Sequence, residues 1–529
     1  MRISILASLI MTAMLTIHVA ASDVSSNNLL GSAAFRPSPQ QTIGWRGDGN
    51  GRYPAAAPPL SWERKRDGNA YTAKNIVWAA HLPSTGVSCP IVVGDRIFLT
   101  TEVNDLACVE KQSGRILWIR SNPEFEGLSD EERKSNPIFS DKLAPLLPQL
   151  AQVNDDVLKL LNAAQSSAAT SSLRPAIPPK KREIEKQILD GQLAVDKKKF
   201  ERYWGQAVFG FSGPTAISDG THVCAFFTTG VSVCYDLEGN RKWIQRGSGG
   251  GSEHGNFASP ILCENKLVVW ANEMRAYDVE SGKLLWSNPA KASNTYGSMF
   301  RLRVGDEWVA AYQSGFFARL RDGKPVWGDN IFGDSVETPI VEGATLYASM
   351  GYPRAVAENV KGLHAFKIPG SLEGTKLISS TIFKTDWADD ELPQDKTKPF
   401  ERNYCASPLF VDGLIYRMTE GGGLVVNDAA SGEVIYRKVL PLRPKTEYWN
   451  WAGASASPTL AGKYIYLMDN QGKAVIIEPG RQYKEVALNV LEDFSKNGKE
   501  QTQCVSSPVF EGSRMYYRTP SYLFCIGEK

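Results

Sequence analysis

The 529-residue chain has almost no net charge and few of the side chains that metal sites favour. It carries 59 basic and 57 acidic residues, so its formal net charge is only +2. This balance gives no reason to expect a nucleic acid or an anionic membrane as a partner. The five histidines, one of them in the N-terminal apolar stretch, leave little room for a His-based metal cluster.

Several motifs of catalysis and redox chemistry are also missing. The eight cysteines form no C-x-x-C, no C-x-x-C-H and no adjacent pair, which argues against a zinc site, an attached haem and a dithiol redox site. Because no G-x-S-x-G motif is present, a serine hydrolase has no positive support. The Gly-rich run 246–252 lacks the Lys-Ser or Lys-Thr of a phosphate-binding loop, so we expect a flexible loop there.

Long apolar runs are confined to the N-terminus. Residues 1–21 contain one Arg, an apolar run and then small residues, which predicts a secretory signal, with an uncleaved anchor as the alternative. No other stretch is long enough to span a bilayer, so we expect the mature protein in the periplasm, the cell envelope or outside the cell. Residues 22–44 are rich in Ser, Asn, Ala and Pro and are predicted to form a mobile leader. A Gly-rich turn is predicted at 45–51, since a calcium loop would need further ligands.

A repeated pattern of four short strands fills most of the chain, and its best copy is Ala258–Asn288. Each copy opens with small residues and usually Pro, and then alternates apolar strands with polar turns. One such sheet cannot bury its apolar side alone, so the copies must stack. The eight opening steps end at Pro90, Pro214, Pro260, Phe300, Pro339, Pro408, Pro458 and Pro508.

The spacing of these openings predicts a β-propeller. Uninterrupted openings are 46, 40, 39, 50 and 50 residues apart, which is the length of one four-stranded blade. Two longer gaps hold predicted insertions at 121–207 and around 388–404. The first has apolar residues at helical spacing over 141–165 and 180–204, so we expect a helical pair on the first blade. Its Lys/Arg run at 180–186 is interspersed with Glu, which favours a solvated helix face over a binding patch.

The two ends of the repeat region complement each other. The eighth copy stops after its third strand, whereas Asn75–Pro83 matches a fourth strand that has no blade of its own. We therefore predict that the N-terminal strand completes the last blade and closes the ring, which also removes exposed edge strands. The predicted fold is all-β, an eight-bladed β-propeller of four-stranded antiparallel blades over 75–529, preceded by an N-terminal extension at 22–74.

Most of the cysteines are predicted to be packing residues. Cys108, Cys234 and Cys525 occupy a repeat position that Ala holds in other copies, where a small residue must fit against the neighbouring sheet. Cys224 and Cys263 also lie in strand-like runs. Disulfide pairing stays open for the three cysteines beside strand starts, which are Cys89, Cys405 and Cys504.

The repeat resembles the blade of the pyrroloquinoline-quinone-type (quinoprotein-type) propeller family. Ala276–Trp286 carries the resemblance best, because it contains the pattern A-x-D-x-x-S-G-x-x-x-W. The resemblance spans about 75–529 apart from the insertions. It implies either a calcium-dependent quinoprotein dehydrogenase or a non-catalytic scaffold such as the outer-membrane assembly lipoprotein. Alcohol-oxidising members typically place a disulfide of adjacent cysteines over the cofactor, which this chain lacks, whereas sugar-oxidising relatives manage without it.

The candidate site lies in the segments before the first strand of each blade, which converge on a central funnel at one face of a propeller. They contain Glu253, His254, Asn256, Tyr296, Asp334, Glu337, Arg402, Asn403, Tyr404, Trp449, Asn450, Trp451 and Gln503. A calcium–quinone site needs oxygen ligands, a cation and an aromatic face. If calcium is bound, the oxygen ligands would come from Glu253, Asn256, Asp334 and Glu337. Arg402 would supply the cation, and Trp449 or Trp451 the stacking face.

We predict a secreted or periplasmic propeller that acts as a non-catalytic binding or scaffold module through its funnel face. Its partner would be an envelope protein or a small ligand, with the helical insertion as a second contact. The alternative is a dehydrogenase that oxidises alcohols or sugars with pyrroloquinoline quinone and Ca²⁺ as cofactors. A third hypothesis is a polysaccharide-binding propeller that uses Trp449 and Trp451.

Overall fold

The computed structural model describes residues 28–528 with several gaps. The gaps are 69, 172–174, 202–209, 248–256, 271, 290–295, 329, 334, 351–361, 383–405, 420, 443–453 and 494–504. The predicted signal at 1–21 and the smaller insertion around 388–404 therefore lie outside the described residues.

Eight antiparallel sheets form the blades of a propeller, and the strands of a blade follow one another in sequence from the axis outward. Blades 1 to 4 consist of β5–β8 (Ile91–Val93, Arg96–Thr101, Asp105–Glu110, Ile116–Ser121), β9–β12 (Ile217–Ser218, His222–Phe227, Val231–Asp236, Arg241–Arg246), β13–β16 (Ile261–Cys263, Lys266–Trp270, Met274–Asp278, Leu284–Asn288) and β17–β20 (Phe300–Val304, Glu307–Tyr312, Phe316–Arg319, Pro325–Val326). Blades 5 to 7 consist of β21–β24 (Ile340–Glu342, Thr345–Met350, Gly362–Lys367, Ile378–Ile382), β25–β28 (Leu409–Val411, Leu414–Met418, Gly423–Asp428, Val434–Val439) and β29–β32 (Thr459–Ala461, Tyr464–Met468, Lys473–Glu478, Lys484–Leu491). The middle strands are mostly apolar because both their faces pack against neighbouring blades.

The eighth blade is built from both ends of the described chain. It contains β33–β35 (Val509–Glu511, Arg514–Arg518, Tyr522–Ile526) and, outermost, β4 (Ile76–His81). β4 pairs antiparallel with β35, with Trp78 opposite Cys525. This pairing confirms the predicted closure of an eight-bladed propeller by the N-terminal strand.

A Trp in the fourth strand joins each of blades 8, 1, 2 and 3 to the blade that follows. The indole N–H donates to a backbone carbonyl of that blade, from Trp78 to Lys111, Trp118 to Leu237, Trp243 to Val279 and Trp286 to Leu320. The ring also covers a turn glycine, and a Cβ at Gly282 would lie 2.5 Å from the Trp243 ring. This contact explains why these copies combine a glycine turn with a fourth-strand Trp.

A belt of side chains around the central channel links the opening steps of successive blades. At seven of the eight joints, the backbone N–H of the opening residue donates to the side chain of its counterpart in the next blade, over 2.8–3.3 Å. At the remaining joint, Met299 N donates to Ser259 O over 3.1 Å. We call this set the axial belt, and it consists of Cys89, Thr215, Ser259, Ser298, Thr338, Ser407, Ser457 and Ser507. The belt explains why a small polar side chain recurs at this step of the repeat.

The cysteines require one correction. Cys224 and Cys234 lie opposite each other in β10 and β11 and form a disulfide. The prediction that Cys234 is only a packing residue is therefore wrong, because alignment of the copies did not show which residue the adjacent strand places opposite it. Cys108, Cys263 and Cys525 are buried thiols, as expected of packing residues. Two further cysteines lie outside the described residues, Cys405 and Cys504.

The N-terminal segment, residues 28–62, packs across one face of the propeller. We call this the turn face, because it carries the turns between the first and second strands, and we call the opposite one the funnel face. Ile43 pairs with Ser218 of blade 2, and Gly512 N in blade 8 donates to Gly31 O. Next to them β1 (Arg52–Tyr53) adds a parallel strand to the inner edge of blade 7.

The prediction of a mobile leader is wrong for residues 28–44. Leu30, Phe35 and Ile43 are buried against the blades, with 6% or less of each exposed. Their surroundings in the sequence are polar and small, so composition suggested a loose chain. The few apolar side chains are nevertheless spaced so that they can reach the turn face.

A hairpin from the same extension covers the outer edge of blade 7. It consists of β2 (Glu63–Asp67) and β3 (Ala70–Lys74), and β2 pairs in parallel with β32. Arg64 is fully buried and donates to Ala169 O at 2.9 Å and to Glu492 O. Its guanidinium carbon lies 3.5 Å from the ring centre of Tyr71 and 5.0 Å from that of Tyr522. This arginine therefore ties the hairpin to blades 7 and 8 and to the insertion.

The insertion between blades 1 and 2 is helical, as predicted. Its helices are α1 (Asp130–Ser135), α2 (Leu146–Ala163), α3 (Pro179–Val195) and α4 (Lys197–Phe200), with 3₁₀ turns at Glu124–Gly127 and Gln165–Ser167 and a π-helical turn at Ile138–Leu143. The longest of them, α2, packs on the outer strand β8 of blade 1, and α3 packs on α2. In the part of the chain that is described, no helix is long and apolar enough to cross a membrane.

Lys181 in α3 faces blade 1 instead of solvent. Its Nζ lies 2.9 Å from Asp105 Oδ2, 2.7 Å from Glu185 Oε1 and 2.8 Å from Asn154 Oδ1. Burial raises the pKa of Glu185 to about 7, although Lys181 opposes the shift. The prediction of a solvated face at 180–186 is wrong for Lys181, because its three acceptors compensate the cost of burying the ammonium group.

Candidate functional site

Two of the predicted funnel residues are described, Tyr296 and Glu337. They precede the first strands of blades 4 and 5 and so lie at successive joints of the funnel face. The remaining candidates lie outside the described residues, namely Glu253, His254, Asn256, Asp334, Arg402, Asn403, Tyr404, Trp449, Asn450, Trp451 and Gln503. Their proposed roles stay predictions.

Glu337 is a buried carboxyl group at the start of blade 5. Ser349 Oγ, near the end of β22, donates to Glu337 Oε2 at 2.6 Å. Burial raises the pKa of Glu337 to about 7, while the charge of Arg417 in blade 6 and the Ser349 hydrogen bond oppose the shift. The carboxyl group therefore changes its charge close to neutral pH.

Tyr296 lies at the neighbouring joint, beside an aromatic pair. Tyr296 is half-buried and acts electrostatically on Tyr312. Burial raises the pKa of Tyr312 well above its ordinary value. The Tyr312 ring stacks on Trp270 with 4.1 Å between centres and 4° between planes. Because β14 ends at Trp270 and β18 at Tyr312, the second strands of blades 3 and 4 place aromatic rings towards the funnel face.

Three buried charged residues near the funnel face are absent from the sequence-based candidates. These are Glu102, Arg417 and Arg518, at or just beyond the ends of the second strands of blades 1, 6 and 8. Second strands run antiparallel to first strands, so they end on the face where first strands begin. A signal for two of them exists in the sequence, because Arg417 and Arg518 stand at or next to the end of strands that are otherwise largely apolar.

Glu102 binds the chain where it returns from the insertion to blade 2. Its Oε1 accepts from Phe211 N and Ser212 N, both at 2.7 Å, and from Ser212 Oγ at 2.6 Å. A Cβ at Gly210 would lie 2.0 Å from the carboxyl carbon, and Gly210 has a φ of +72°. Glycine is therefore needed for this close approach. The carboxyl group of Glu102 holds the backbone that enters blade 2.

Arg518 joins blade 8 to blade 1. Its Nη1 donates to Ser88 O at 3.2 Å and to Thr100 O at 2.7 Å. A Cβ at Gly86 would lie 2.2 Å from Nη2, so the guanidinium group fills the space against that glycine. These contacts give Arg518 a structural role at the joint that follows the closing strand.

The described residues do not provide the predicted calcium site. Among them, no group of three or more His, Cys, Asp or Glu side chains is arranged to hold a metal ion. Glu337 is the one predicted oxygen ligand that is described. Its Oε2 accepts a hydrogen bond from Ser349, and the described residues bring no group of three such ligands around it.

Two clefts flank α3, where the insertion meets the propeller. One has a volume of about 40 Å³ and is lined by residues that include Asn104 and Gln192. The other has a volume of about 150 Å³ and is lined by residues that include Arg182 of α3 and His81 and Pro520 of blade 8. The insertion therefore leaves surface-accessible space on both sides of one helix.

Comparisons with known proteins agree with this architecture. The sequence matches the family model described as outer membrane protein assembly factor BamB over residues 190–392 and 307–497, which together span more than half of the chain. No curated protein matches it. Among solved structures, BamB from Moraxella catarrhalis is 14% identical, with 59% of this chain and 83% of that chain covered and a TM-score of 0.41.

Two oxidoreductases are also similar in structure. Quinohemoprotein alcohol dehydrogenase ADHIIG from Pseudomonas putida HK5 is 10% identical, with 85% of this chain and 76% of that chain covered and a TM-score of 0.45. A europium-containing methanol dehydrogenase is 10% identical, with 83% and 84% covered and a TM-score of 0.44. By its repeats and by the match over 190–497, the chain belongs to the BamB-type family of pyrroloquinoline-quinone-like propellers.

Proposed function

We propose that this protein is a non-catalytic binding module that takes a protein partner on its funnel face. The observation that carries the proposal is that charged groups described near this face hold the protein's own chain together. Glu102 accepts from the backbone of Ser212, and Arg518 donates to the carbonyl of Thr100. Groups committed to such contacts make a rigid platform, and they are not available to react with a substrate.

The opposite face supports the same choice of surface. The N-terminal segment already packs across the turn face, from Ile43 on blade 2 to Gly31 on blade 8. A partner that approaches the turn face would have to displace this segment or bind on top of it. The funnel face is therefore the better docking surface, and the clefts beside α3 would provide a second contact.

A location in the periplasm or outside the cell accords with two further observations. The family is named for an outer membrane protein assembly factor, which acts among envelope proteins. The buried disulfide Cys224–Cys234 is of a kind that forms in oxidising compartments. We therefore propose an envelope protein as the partner.

Site-specific photo-crosslinking in cells of the source organism tests this function. A photoreactive amino acid at Tyr296 would report on the funnel face, and the same group at the exposed Lys463 would report on the turn face. We expect one discrete crosslinked envelope protein from position 296 and none from position 463. Equal products from both positions, or products from position 463 alone, would contradict a funnel-face partner.

One observation favours a second function, that of a quinone-dependent dehydrogenase. A buried carboxyl group with a pKa near 7 suits a general base at neutral pH, and Glu337 has this property. When bound, pyrroloquinoline quinone would accept the electrons of an alcohol or sugar. Glu337 would then take up the proton of the substrate hydroxyl, while Ser349 fixes the orientation of the carboxyl group.

Reconstitution separates the two functions. Purified protein would be incubated with Ca²⁺ and pyrroloquinoline quinone, and cofactor absorbance and dye reduction would then be measured with alcohols and aldoses. We expect no stoichiometric uptake. Uptake at one cofactor per chain, with dye reduction that Glu337→Gln abolishes, would favour the dehydrogenase and overturn the non-catalytic function.

A further inference from the structure

The central channel contains two buried hydrogen-bond donors that find no acceptor among the described residues, Arg46 Nε and Tyr53 Oη. Arg46 is 2% exposed and Tyr53 is fully buried. The other guanidinium nitrogens of Arg46 donate to Pro408 O at 3.0 Å and Pro458 O at 2.7 Å. A buried donor without an acceptor is unfavourable, so it calls for an explanation such as a bound ion or water.

Among the described residues, the charge of Arg46 also has no ion-pair partner. No described carboxylate lies within 4.0 Å of its guanidinium group, although Asp48 is close enough to act on it electrostatically. The Asp48 oxygens accept from the backbone N and the side-chain Nδ2 of Asn50. Arg52, the nearest further cation, pairs with Glu342 at 2.8 Å. Burial lowers the pKa of Arg46 to about 10, as expected for a cation that has left water without full compensation.

Arg46 lies against the axial belt. Its two acceptors, Pro408 O and Pro458 O, belong to the residues that directly follow belt members Ser407 and Ser457. The thiol of Cys89, on another side of the belt, is close enough to act electrostatically on both Arg46 and Tyr53. Arg46 therefore lies next to belt residues Ser407 and Ser457, and the residue that follows it in the chain, Gly47, lies against Tyr53 Oη.

This surrounding is rich in donors. A belt hydroxyl that accepts a backbone N–H still has its own O–H to donate, and Arg46 Nε and Tyr53 Oη add two more donors. A water molecule at this position would need acceptors for both of its hydrogens, whereas an anion needs only donors. Because hydroxyl groups can also accept, it is the positive charge of Arg46, which no described carboxylate neutralises, that favours an anion over water.

The site is also tightly enclosed. A Cβ at Gly51 would lie 2.4 Å from Arg46 Nη2, and one at Gly47 would lie 3.1 Å from Tyr53 Oη. Both glycines have a φ of +75°, which lets the segment turn closely around the two side chains. The belt, Arg46 and Tyr53 are all nearly inaccessible to solvent, so an ion beside them would be shielded from bulk water.

We propose that the central channel binds a small inorganic anion of the size of chloride between Arg46 Nε and Tyr53 Oη, next to the axial belt. The anion neutralises the guanidinium group and supplies the acceptor that both donors lack. It thereby fixes the N-terminal segment in the channel. The proposal does not depend on the function proposed for the funnel face.

Crystallography with bromide tests the proposal directly. Crystals of the full chain grown in sodium bromide would be measured at the bromine absorption edge. We expect an anomalous peak within hydrogen-bonding distance of Arg46 Nε and Tyr53 Oη. Density without an anomalous signal there, which would be water, would overturn the proposal, and so would an absence of density.

Thermal unfolding tests it in solution. The unfolding temperature would be followed as chloride replaces sulfate at constant ionic strength. We expect a saturable rise for the natural chain and none for Arg46→Gln. Arg52→Gln is the matched control, since it removes a nearby cation that already has a partner, and it should keep the rise. A natural chain without a chloride-specific rise, or an Arg46→Gln variant that retains it, would refute the anion site.

Tyr53→Phe keeps the inference testable if Arg46→Gln fails to fold. This variant removes one donor and retains the aromatic ring, so folding should persist. One hydrogen bond to a charged group is worth about 1.5–3 kcal/mol, so the half-saturating chloride concentration should rise roughly tenfold or more. An unchanged half-saturating concentration would show that Tyr53 does not contact the anion and would contradict the proposed site.

Discussion

Blade 3 and blade 8 have the same four-stranded plan but are held together in different ways. Blade 3 is one continuous stretch, and its outer strand leaves Leu284 and Leu285 more than 40% exposed. Blade 8 takes its outer strand from the opposite end of the described chain, and two fully buried arginines, Arg64 and Arg518, lie around it. β4 and β35 pair through their backbones, and the two buried cations join this blade and its surroundings to blade 1 and to the insertion.

The two blades differ most clearly at one position of the repeat. Ten residues after the opening Pro, blade 3 has Trp270 and blade 6 has Met418, whereas blade 8 has Arg518. The apolar residues at this position bury surface within the ring. Arg518 reaches across to Ser88 and Thr100 of blade 1. Charge thus appears, in the blade that closes the ring, at a position that is apolar in blades 3 and 6.

The largest effect is expected from Arg64→Met. This change removes two or more hydrogen bonds from a fully buried guanidinium group and its contact with the Tyr71 ring. Each charged hydrogen bond contributes about 1.5–3 kcal/mol, so we expect a loss of about 4 kcal/mol in the free energy of unfolding, measured in urea. Arg303→Met is the control, because the exposed Arg303 makes one surface ion pair with Asp306. Equal stability of the two variants would refute the special role of Arg64.

Glu337 shows what a buried charge costs in an ordinary blade. Its pKa is about 7 in the folded protein against 4.5 ordinarily, so between these values the folded state keeps a proton that the unfolded state loses. Stability should therefore fall as pH rises from about 4.5 to 7, by roughly 3 kcal/mol from this group. In Glu337→Gln this part of the pH dependence should vanish. Unfolding in urea at several pH values measures it, with the exposed Glu433→Gln as control. A natural pH profile in Glu337→Gln would contradict the assignment.

Arg518→Met tests the closing blade at the position where blade 6 has Met418. The carbonyls of Ser88 and Thr100 lose their donor, and we expect a loss of about 2 kcal/mol in the free energy of unfolding. The matched control is Met418→Leu, a volume-conserving change that should cost less than about 1.5 kcal/mol. If Arg518→Met is as stable as the natural chain, blade 8 needs no cation at this position.

The periodic part of the fold could be predicted from the sequence, and the non-periodic part could not. Eight openings at regular spacing gave the blades, and the unmatched strand at Asn75–Pro83 gave the closure. Residues 28–44 and Lys181 were assigned to solvent because their neighbours in sequence are polar. Their burial depends on single long-range contacts, such as the one between Lys181 and Asp105, and composition does not report these.

Only some residues of the candidate site could be predicted from the sequence in the same way. The segments before first strands supply the sequence-based candidates, and of these Tyr296 and Glu337 are described. The ends of second strands reach the same face and carry Glu102, Arg417 and Arg518, which the position of the first strands alone does not indicate. A charged residue near the end of an apolar strand is the signal that would have found the two arginines.

The smallest effect is expected from exchanging the side-chain acceptors of two belt contacts. One is the thiol at the joint between blades 8 and 1, and the other is the hydroxyl at the joint between blades 7 and 8. Ser507 N donates to a thiol, Cys89 Sγ, at 3.3 Å, whereas Ser457 N donates to a hydroxyl, Ser507 Oγ, at 3.0 Å. A hydroxyl is the stronger acceptor, so Cys89→Ser should slow hydrogen exchange of the Ser507 amide and stabilise the protein by about 0.5 kcal/mol. The reciprocal Ser507→Cys should speed exchange of the Ser457 amide by a similar factor. If Cys89→Ser instead speeds exchange of the Ser507 amide while Ser507→Cys speeds exchange of the Ser457 amide, the belt contacts are not equivalent around the ring, and the thiol is adapted to the closing joint rather than tolerated there.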